Sequence, residues 1–546
     1  MKRVTVLFAA LSLMAAAALA APAGKARDKD AEKPEISKSD FFQPEAATSE
    51  GAVEVDGRRI DYRAVAGTLI VHPKGWDDAA KKTDDDDKPD SAANDDTNPT
   101  AEASMFYVAY FKRGVRPDSR PIIFLFNGGP GSSSVWLHMG AFGPRRIVTA
   151  DDTHTPAAPY RLINNNASLL DASDLVFIDA PGTGFSRIEG KDKEKAFYGV
   201  DPDAYAFTEF VIQFLSKYGR WNSPKYLFGE SYGTPRAAVM INALETDRDV
   251  DFNGVILLSQ ILSFDMGPDS PQTNPGVDLP YELALPTYAA TAWYHHKLPA
   301  NPPDLHALLD EVEYFAMNDY ASALAQGSNL PDTDRDAIAA KLHDYTGLAV
   351  DYIKKADLRI NGGEFEKTLQ DDKDLTTGRL DTRFSGPTID PLSEEADYDP
   401  QSASIGSAYV SAFNDYVRKD LHFGEGKVYK PEIDEIGEHW VFTHQPPGAT
   451  SALSNAPNVM PDLASAMKYN PNLKILLNGG YFDLATPFFE GIYEMHHLQI
   501  PQKLQANIEY RYYESGHMVY AHEASLKQLH DTVVAFIRKT DNVKGK

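Results

Sequence analysis

The chain has 546 residues, of which 42% are hydrophobic and 11% aromatic, so it is long enough to bury a large core. Its 53 Lys and Arg residues against 79 Asp and Glu residues give a formal net charge of −26. This charge argues against a nucleic-acid partner or an anionic membrane surface, because both need clustered cations. The absence of cysteine excludes disulfides, thiolate metal ligands and acylation at a lipobox cysteine.

The N-terminus has the pattern of an export signal. Lys2 and Arg3 precede an Ala-rich apolar run, and Ala18-Leu19-Ala20 matches a signal-peptidase site. The run is short for a membrane span, and an uncleaved anchor is the alternative. We expect residues 1–20 to be a signal peptide, with cleavage near Ala20 and a mature protein that is periplasmic or secreted, without stable membrane insertion.

The next segments contain little periodicity. Residues 21–50 are rich in Ala, Lys, Asp, Glu and Pro, which predicts a flexible leader. Strand patterns begin at residue 51, and Asp56-Gly57 is typical of a tight hairpin turn. The acidic stretch 81–100 is interpreted as a solvated, disordered insertion. A calcium loop is the alternative, but the stretch lacks the glycine and terminal glutamate of an EF-hand.

From residue 121 onwards, short apolar runs alternate with helical patterns. Five runs have the composition of strands buried on both faces: PIIFLF (121–126), DLVFID (174–179), KYLFG (225–229), GVILLS (254–259) and LKILLN (473–478). Helical patterns lie between several of them, including 201–219 and 234–245. This alternation predicts an α/β fold, in which a mostly parallel central sheet is covered by helices.

The strand signal fades between about 265 and 440, where apolar residues recur at helical spacing. They are Leu305, Leu308, Leu309, Val312 and Phe315 in one predicted helix, and Tyr409, Phe413, Tyr416 and Leu421 in a later one. We interpret 265–440 as a helical cap or lid, inserted into a core that consists of residues 51–264 and 441–546.

One pentapeptide, Gly229-Glu230-Ser231-Tyr232-Gly233, fits the pattern G-x-S-x-G between a predicted strand and a predicted helix. In that setting the motif is a sharp turn that exposes a nucleophilic serine, although the bare pattern is common by chance. Such a serine needs a histidine base and an orienting carboxylate. Asp483 follows a predicted strand, and His517 lies in a later Gly-flanked loop, the order found in α/β-hydrolases. A solvated aspartate and a structural histidine are the alternatives.

An oxyanion at this serine requires backbone N–H donors. Tyr232 follows the serine directly, and the glycine-rich turn at 124–134 (FLFNGGPGSSS) is the candidate for the second donor. A plain tight turn is the alternative for 124–134. A phosphate loop is excluded because the lysine that it requires is missing.

Together these segments resemble the serine carboxypeptidase family. The matching blocks are Asn127-Gly128-Gly129-Pro130-Gly131 with Ser132-Ser133-Ser134, Phe142-Gly143-Pro144, Asp179–Ser186, Gly229–Tyr232 and Gly516–Val519. The resemblance covers about 121–260 and 405–540. It implies an α/β-hydrolase fold with an inserted helical cap. The chain would be a cysteine-free, bacterial member of the family.

The resemblance implies an acyl-enzyme mechanism. Ser231 would attack the peptide carbonyl, with His517 as the base and Asp483 fixing the tautomer of the imidazole. The amides of Gly129 and Tyr232 would form the oxyanion hole. Neither a metal nor another cofactor is implied.

The resemblance also implies a subsite for the free C-terminal carboxylate of a peptide. Asn127, Gly128 and Glu230 would bind this carboxylate, and Met518 would line the side of the leaving residue. Two carboxylates in contact cannot both stay ionised, so Glu230 would be a protonated donor. A plain acidic residue at a helix start is the alternative for Glu230. The family usually has a second glutamate just before the Gly-Pro pair, where this chain has Ala141.

The sequence therefore predicts an exported serine carboxypeptidase that releases C-terminal amino acids from peptides. An esterase or an acyltransferase that uses the same three residues is the alternative, because related folds support other acyl chemistry. A non-catalytic homologue is a further hypothesis, which the intact set of site residues disfavours.

Overall fold

The chain is described by a computed structural model over residues 41–78, 98–300, 302–452 and 457–543. The predicted signal peptide 1–20, most of the predicted leader and most of the acidic insertion therefore lie outside the described residues. Within the described ranges, no helix combines the length and apolarity needed to cross a bilayer.

The strands form one large sheet and two small pairs. Their bounds are β1 (Ala46–Val55), β2 (Arg58–Val71), β3 (Glu102–Lys112), β4 (Ile122–Phe126), β5 (Arg145–Ile147), β6 (Leu162–Asn164), β7 (Asp174–Ile178), β8 (Arg187–Glu189), β9 (Lys225–Glu230), β10 (Gly254–Leu258), β11 (Leu375–Thr377), β12 (Ser385–Pro387), β13 (Lys474–Gly480) and β14 (Ile508–Tyr513). The 10-stranded sheet has the order β1-β2-β3-β7-β4-β9-β10-β13-β14, with β8 beside β3. Pairing is antiparallel from β1 to β7 and parallel from β7 to β14. All five predicted buried strands lie in the parallel part, which confirms the fold class.

Helices cover the sheet, and α4 to α12 lie between β10 and β13. Their bounds are α1 (Lys193–Phe197), α2 (Val200–Tyr218), α3 (Gly233–Asp247), α4 (Leu279–Tyr294), α5 (Leu305–Phe315), α6 (Ala321–Leu324), α7 (Asp332–Thr346), α8 (Val350–Lys355), α9 (Gly362–Thr368), α10 (Pro400–Lys419), α11 (Asp434–Glu438), α12 (Met460–Tyr469), α13 (Phe488–His496), α14 (Gln502–Gln505) and α15 (Glu523–Thr540). A π-helical turn spans Leu137–Phe142.

The central strand β4 shows why the parallel strands have continuously apolar sequences. Ile123 and Leu125 pack into an apolar cluster on one face, together with residues of α10 and α15. Ile122, Phe124 and Phe126 pack into a second cluster on the other face, with α2 and α3. Because both faces are covered, every position must be apolar. Burial of each such side chain contributes about 1.5–3 kcal/mol.

The first strand begins earlier than the sequence predicts. Residues 46–50, which we expected in the flexible leader 21–50, extend the hairpin as far as the pair Ala46 and Gly67. An edge strand of small and polar residues is held by main-chain hydrogen bonds and leaves little hydrophobic periodicity to detect. The predicted turn at Asp56-Gly57 is confirmed, with φ of 48° and 71° at its two residues.

The segment 265–440 contains two packing units, whereas the sequence predicts one cap. Residues of α4 to α9 share an apolar cluster of their own, which includes Leu342 and Phe365. Helix α10 instead packs against one face of the sheet through Tyr409 and Phe413. An amphipathic pattern identifies the buried face of a helix but not its partner, so the sequence could not separate the two.

Helix α13 buries two glutamates with different surroundings. Glu494 accepts hydrogen bonds from Gln260 Nε2 at 2.8 Å and from the N–H groups of Leu262 and Ser263. Within the described residues, neither carboxyl oxygen of Glu490 has a hydrogen-bond partner. Burial, and then the charge of Glu494, raise the pKa of Glu490 well above its usual range. Glu490 is therefore protonated in the folded protein at pH values where it ionises on unfolding.

We predict that Glu490→Gln removes part of the pH dependence of stability. Because the folded pKa is raised, the contribution of Glu490 is fully present below about pH 4.5 and is lost as the pH rises through the folded pKa. The variant should match the wild type at pH 4 and exceed its free energy of unfolding at pH 8 by about 1–3 kcal/mol. Thermal unfolding followed by circular dichroism measures this difference. The exposed Glu425→Gln control should keep the wild-type pH slope, and the same slope in Glu490→Gln would contradict the assignment.

Candidate active site

Ser231 occupies a strained turn between β9 and α3. Its φ is +58°, which is uncommon for a residue that has a Cβ. The Ser231 N–H donates to the carbonyl of Leu258 in β10 at 3.0 Å, and its carbonyl accepts from the N–H of Thr234 at 2.8 Å. A Cβ on Gly229 would lie 2.1 Å from the carbonyl oxygen of Gly233. A Cβ on Gly233 would lie 2.9 Å from the carbonyl oxygen of Phe126. The packing of this turn therefore requires both glycines of the motif.

A cavity of about 360 Å³ lies beside this turn. Its lining includes most of the site residues predicted from the sequence: Asn127, Gly128, Gly129, Glu230, Ser231, His517 and Met518. Asp483 and Tyr232 are buried, and each adjoins the lining, Asp483 through His517 and Tyr232 as the neighbour of Ser231. The structure thus brings the predicted residues together from four separate parts of the chain.

His517 and Asp483 form the pair that the sequence predicts. His517 Nδ1 lies 2.8 Å from Asp483 Oδ2. The other oxygen of Asp483 accepts from the N–H groups of Ala485 and Thr486, at 3.0 Å each. The Thr486 hydroxyl donates to Asp483 Oδ2 at 2.7 Å and lies 3.2 Å from His517 Nδ1. These contacts fix the carboxylate and the imidazole, and they leave Nε2 of His517 for a different partner.

The electrostatic surroundings of His517 suit a base. Burial lowers its pKa, but the charge and hydrogen bond of Asp483 and the charge of Glu230 outweigh burial and raise the pKa above 6.5. A raised pKa favours the imidazolium that forms when a histidine takes a proton from a serine hydroxyl. The pair can therefore accept a proton in the cavity and return it to a leaving group.

The glycine-rich loop after β4 contacts the backbone of the turn that holds Ser231. We call this turn, Gly229–Gly233, the elbow. A Cβ on Gly128 would lie 2.3 Å from the amide nitrogen of Tyr232, one of the predicted oxyanion donors. Arg236 of α3 fastens this loop, since its Nη1 donates to the carbonyl of Asn127 at 2.6 Å. The same guanidinium pairs with Asp203 at 2.6 Å, and both charged side chains are buried. Removing either partner would leave a buried charge without compensation.

The block Asp179–Ser186 supports the far end of the same loop. Oδ1 of Asp179 accepts from the N–H and the hydroxyl of Ser134, at 2.9 and 2.8 Å. Burial raises the pKa of Asp179 to about 6, although the Ser134 hydrogen bonds lower it in part. The two sequence blocks therefore contact each other directly in the folded chain.

Glu230 is 2% exposed and lies at the end of β9, beside the serine. Burial raises the pKa of its carboxyl to about 7, and this rise is already reduced by His517 and by hydrogen bonds from Tyr520 and Asn127. The Tyr520 hydroxyl donates to both carboxyl oxygens, at 3.0 Å each. Near neutral pH, Glu230 therefore exchanges between an ionised form and a protonated form that can donate a hydrogen bond.

Several residues around the site carry no motif that the sequence analysis could use. The ring of Tyr232 packs against Trp440 and Phe264, and Trp440 Nε1 donates to the Tyr232 hydroxyl at 3.1 Å. The carbonyl of Leu380 accepts from the N–H of His517 at 2.6 Å, and Arg379 lines the cavity. These segments are far apart in sequence and lack periodicity. Tyr520 is the exception, since it stands three residues after His517.

The sheet order, the strained serine between a strand and a helix, and the Asp–His pair on later loops define an α/β-hydrolase fold with a serine site. A family model described as serine carboxypeptidase matches residues 96–262. This match agrees with the resemblance of the chain's motifs to that family.

The curated relatives match over part of their length. Serine carboxypeptidase S10 family member 1 of Dictyostelium discoideum is 34% identical over 146 residues, which are 25% of this chain and 30% of that protein. The pheromone-processing carboxypeptidase KEX1 of Phytophthora infestans is 30% identical over 177 residues, which are 30% of this chain and 26% of that protein. The chain thus covers less than a third of either relative.

Among solved structures, the proline iminopeptidase of Mycobacterium smegmatis is 12% identical, with 90% of this chain and 99% of that chain covered and a TM-score of 0.32. The assignment of the fold rests on the order and direction of the strands in the sheet.

We predict that Gly128→Ala disables the site while the protein stays folded. Its Cβ would overlap with the Tyr232 amide nitrogen and displace that donor, and loss of one oxyanion donor typically costs about 10²–10³ in kcat. The measurements are kcat and the rate of labelling of Ser231 by a phosphonofluoridate. Gly406→Ala is the matched control, since Gly406 lines the same cavity within α10 and, in the described part of the chain, its Cβ would meet only Trp136, at 3.8 Å. Wild-type rates in Gly128→Ala would show that the close contact between Gly128 and Tyr232 is not needed to position the Tyr232 amide.

Proposed function

We propose that the protein is an exported serine carboxypeptidase that releases C-terminal amino acids from peptides. One observation carries the proposal: a buried, ionisable carboxyl, Glu230, precedes the strained serine and lines its cavity. A serine nucleophile alone is compatible with any acyl substrate. A carboxyl that can be protonated beside it selects substrates that end in a free carboxylate. Export rests on the N-terminal signal pattern.

In the proposed reaction, Ser231 attacks the terminal peptide carbonyl while His517 takes the hydroxyl proton. Asp483 holds the imidazole in the tautomer that presents Nε2 and stabilises the imidazolium. The amides of Gly129 and Tyr232 donate to the oxyanion of the tetrahedral intermediate. His517 then protonates the leaving amino group, and water hydrolyses the acyl-enzyme by the reverse proton transfers.

The free C-terminal carboxylate of the substrate binds between Asn127, the backbone of Gly128 and Glu230. A carboxylate next to an ionised Glu230 would be repelled in a buried site, so Glu230 binds it in the protonated form. Protonated Glu230 donates its O–H to the substrate, a charge-assisted hydrogen bond. Met518 lines the same cavity and contacts the leaving residue.

Two titrations with opposite requirements follow from this mechanism. Neutral His517 is needed as the base, so activity on any substrate rises as the imidazolium deprotonates. Protonated Glu230 is needed only for substrates with a free carboxylate, and its pKa is raised to about 7 by burial. Activity on acid substrates should therefore fall again as the pH rises through about 7. The pH profile for acid substrates should therefore have a rising limb and a falling, alkaline limb. Because the two groups interact, the apparent pKa values of these limbs belong to the pair and not to either residue alone.

The test compares a blocked dipeptide with its C-terminal amide between pH 4 and pH 8. We expect kcat/KM for the acid to exceed that for the amide by about 10- to 100-fold on the acid side, the size of one charge-assisted hydrogen bond. This preference should fade above pH 7, and Glu230→Gln should flatten the alkaline limb. Ser231→Ala should abolish both activities. Equal turnover of acid and amide would refute the carboxypeptidase proposal and leave an esterase or acyltransferase on the same residues.

A matched control separates Glu230 from other acidic groups. Glu432 lines the same cavity, so Glu432→Gln removes a second carboxyl from the cavity without changing the elbow. The alkaline limb should persist in this variant. Labelling of Ser231 by a phosphonofluoridate, measured in every variant, distinguishes loss of carboxylate recognition from loss of the nucleophile.

A further inference from the structure

Glu230 lacks the acidic neighbour that the family resemblance leads us to expect at position 141. Ala141 is fully buried in the π-helical turn Leu137–Phe142, and its carbonyl accepts from Asn165 Nδ2 at 2.7 Å. An alanine offers no side-chain group that could share a proton with Glu230. Another residue must therefore hold this buried carboxyl in place.

Tyr520 brings a hydroxyl to the Glu230 carboxyl. It lies in the short turn Val519–Ala521 that precedes α15, and its side chain is buried. A Cβ on Gly140 would lie 2.7 Å from Cδ2 of Tyr520, so the ring packs directly against the residue before Ala141. Its hydroxyl lies 3.0 Å from each oxygen of Glu230. The ring fills the space beside the turn, and the hydroxyl reaches the carboxyl.

We propose that Tyr520 is a positioning residue that stands in for the missing acid: its hydroxyl holds the Glu230 carboxyl in the orientation that meets the substrate carboxylate. The inference rests on the proposed function and adds the group that sets carboxylate recognition. Tyr520 acts through Glu230 and does not itself contact the reacting atoms.

A hydroxyl partner has a different chemical effect from a carboxyl partner. Burial and the charge of Glu230 raise the pKa of Tyr520 well above its usual range, so the hydroxyl keeps its proton. Tyr520 therefore donates to Glu230 whether or not Glu230 is ionised, and it donates more strongly to the ionised form. A second carboxyl would instead share a proton with Glu230. The exchange from acid to tyrosine should make carboxylate recognition more sensitive to pH.

Other groups also face Glu230, and a substitution at Tyr520 leaves their identities unchanged. His517 and the Asn127 side chain favour the ionised carboxyl, whereas the charge of Asp483 disfavours it. Tyr409 packs near the same glycine and senses the charge of Glu230, while its hydroxyl bonds to Thr149. The contribution of Tyr520 can therefore be removed alone, and Tyr409 is its matched control.

The test is Tyr520→Phe, assayed on the blocked dipeptide and its amide across the same pH range. Loss of the donor should move the alkaline limb of the acid substrate upward by about one pH unit, because ionised Glu230 loses a hydrogen bond. Loss of orientation should raise KM for the acid severalfold, with kcat little changed. The amide profile should stay as in the wild type, and Tyr409→Phe should leave both profiles unmoved. In a Glu230→Gln background, Tyr520→Phe should cause no shift.

The outcomes separate this inference from the proposed function. If the wild type shows no preference for the acid, the proposed function fails. If the wild type shows the preference and its alkaline limb, but Tyr520→Phe leaves limb and KM unchanged, the role of Tyr520 is refuted. An equal loss of kcat/KM on acid and amide would mean that Tyr520 has only a structural role, and this result would also refute its role in positioning Glu230.

A second variant covers the case in which Tyr520→Phe fails to fold, as judged by the absence of Ser231 labelling. Incorporation of 3-fluorotyrosine at position 520 keeps the ring and strengthens the hydroxyl as a donor. The alkaline limb should then move to lower pH, opposite to the phenylalanine variant. An unmoved limb in folded, labelled protein would overturn the inference.

Discussion

The site depends on backbone segments that approach more closely than any side chain would permit. At the elbow, the backbone of Gly229 meets that of Gly233, and Gly128 meets the Tyr232 amide. These contacts hold Ser231 at a positive φ, which turns the chain sharply from strand to helix. They also carry the glycine-rich loop to the serine. The strain at Ser231 persists because β9 and β10 are buried along their whole length and α3 buries the turns next to the serine, so that the surrounding packing over-determines the turn.

The burial that stabilises the sheet also sets the chemistry of the site. The elbow lies at the end of strands covered on both faces, where little water can compensate a charge. In that environment the Arg236–Asp203 pair fastens the glycine-rich loop, and the pKa of Glu230 rises to about 7. Low polarity and close packing thus act together at one place. The glycine-rich loop, which the buried ion pair holds, lies next to Glu230, whose pKa the same burial raises.

The helical insertion contributes to the site as well as covering the sheet. The segment after β11 lies between the two loops that carry Asp483 and His517. The N–H of Leu484 donates to the carbonyl of Arg379 at 3.1 Å, and the N–H of His517 donates to that of Leu380 at 2.6 Å. These backbone bonds couple the spacing of the two loops to the packing of the insertion. Substitutions in this segment can therefore change the His–Asp geometry without touching substrate.

The sequence by itself determined the parallel strands and the candidate triad. Apolar runs and the Gly-flanked serine are local signals, because both burial of a strand and a tight turn constrain neighbouring residues. The tertiary structure alone decided that α10 packs on the sheet, that β1 begins at Ala46 and that Tyr520 meets Glu230, 290 residues away. Periodicity shows that a face is buried but not what buries it, and a contact between distant segments exists only once the chain topology has brought them together.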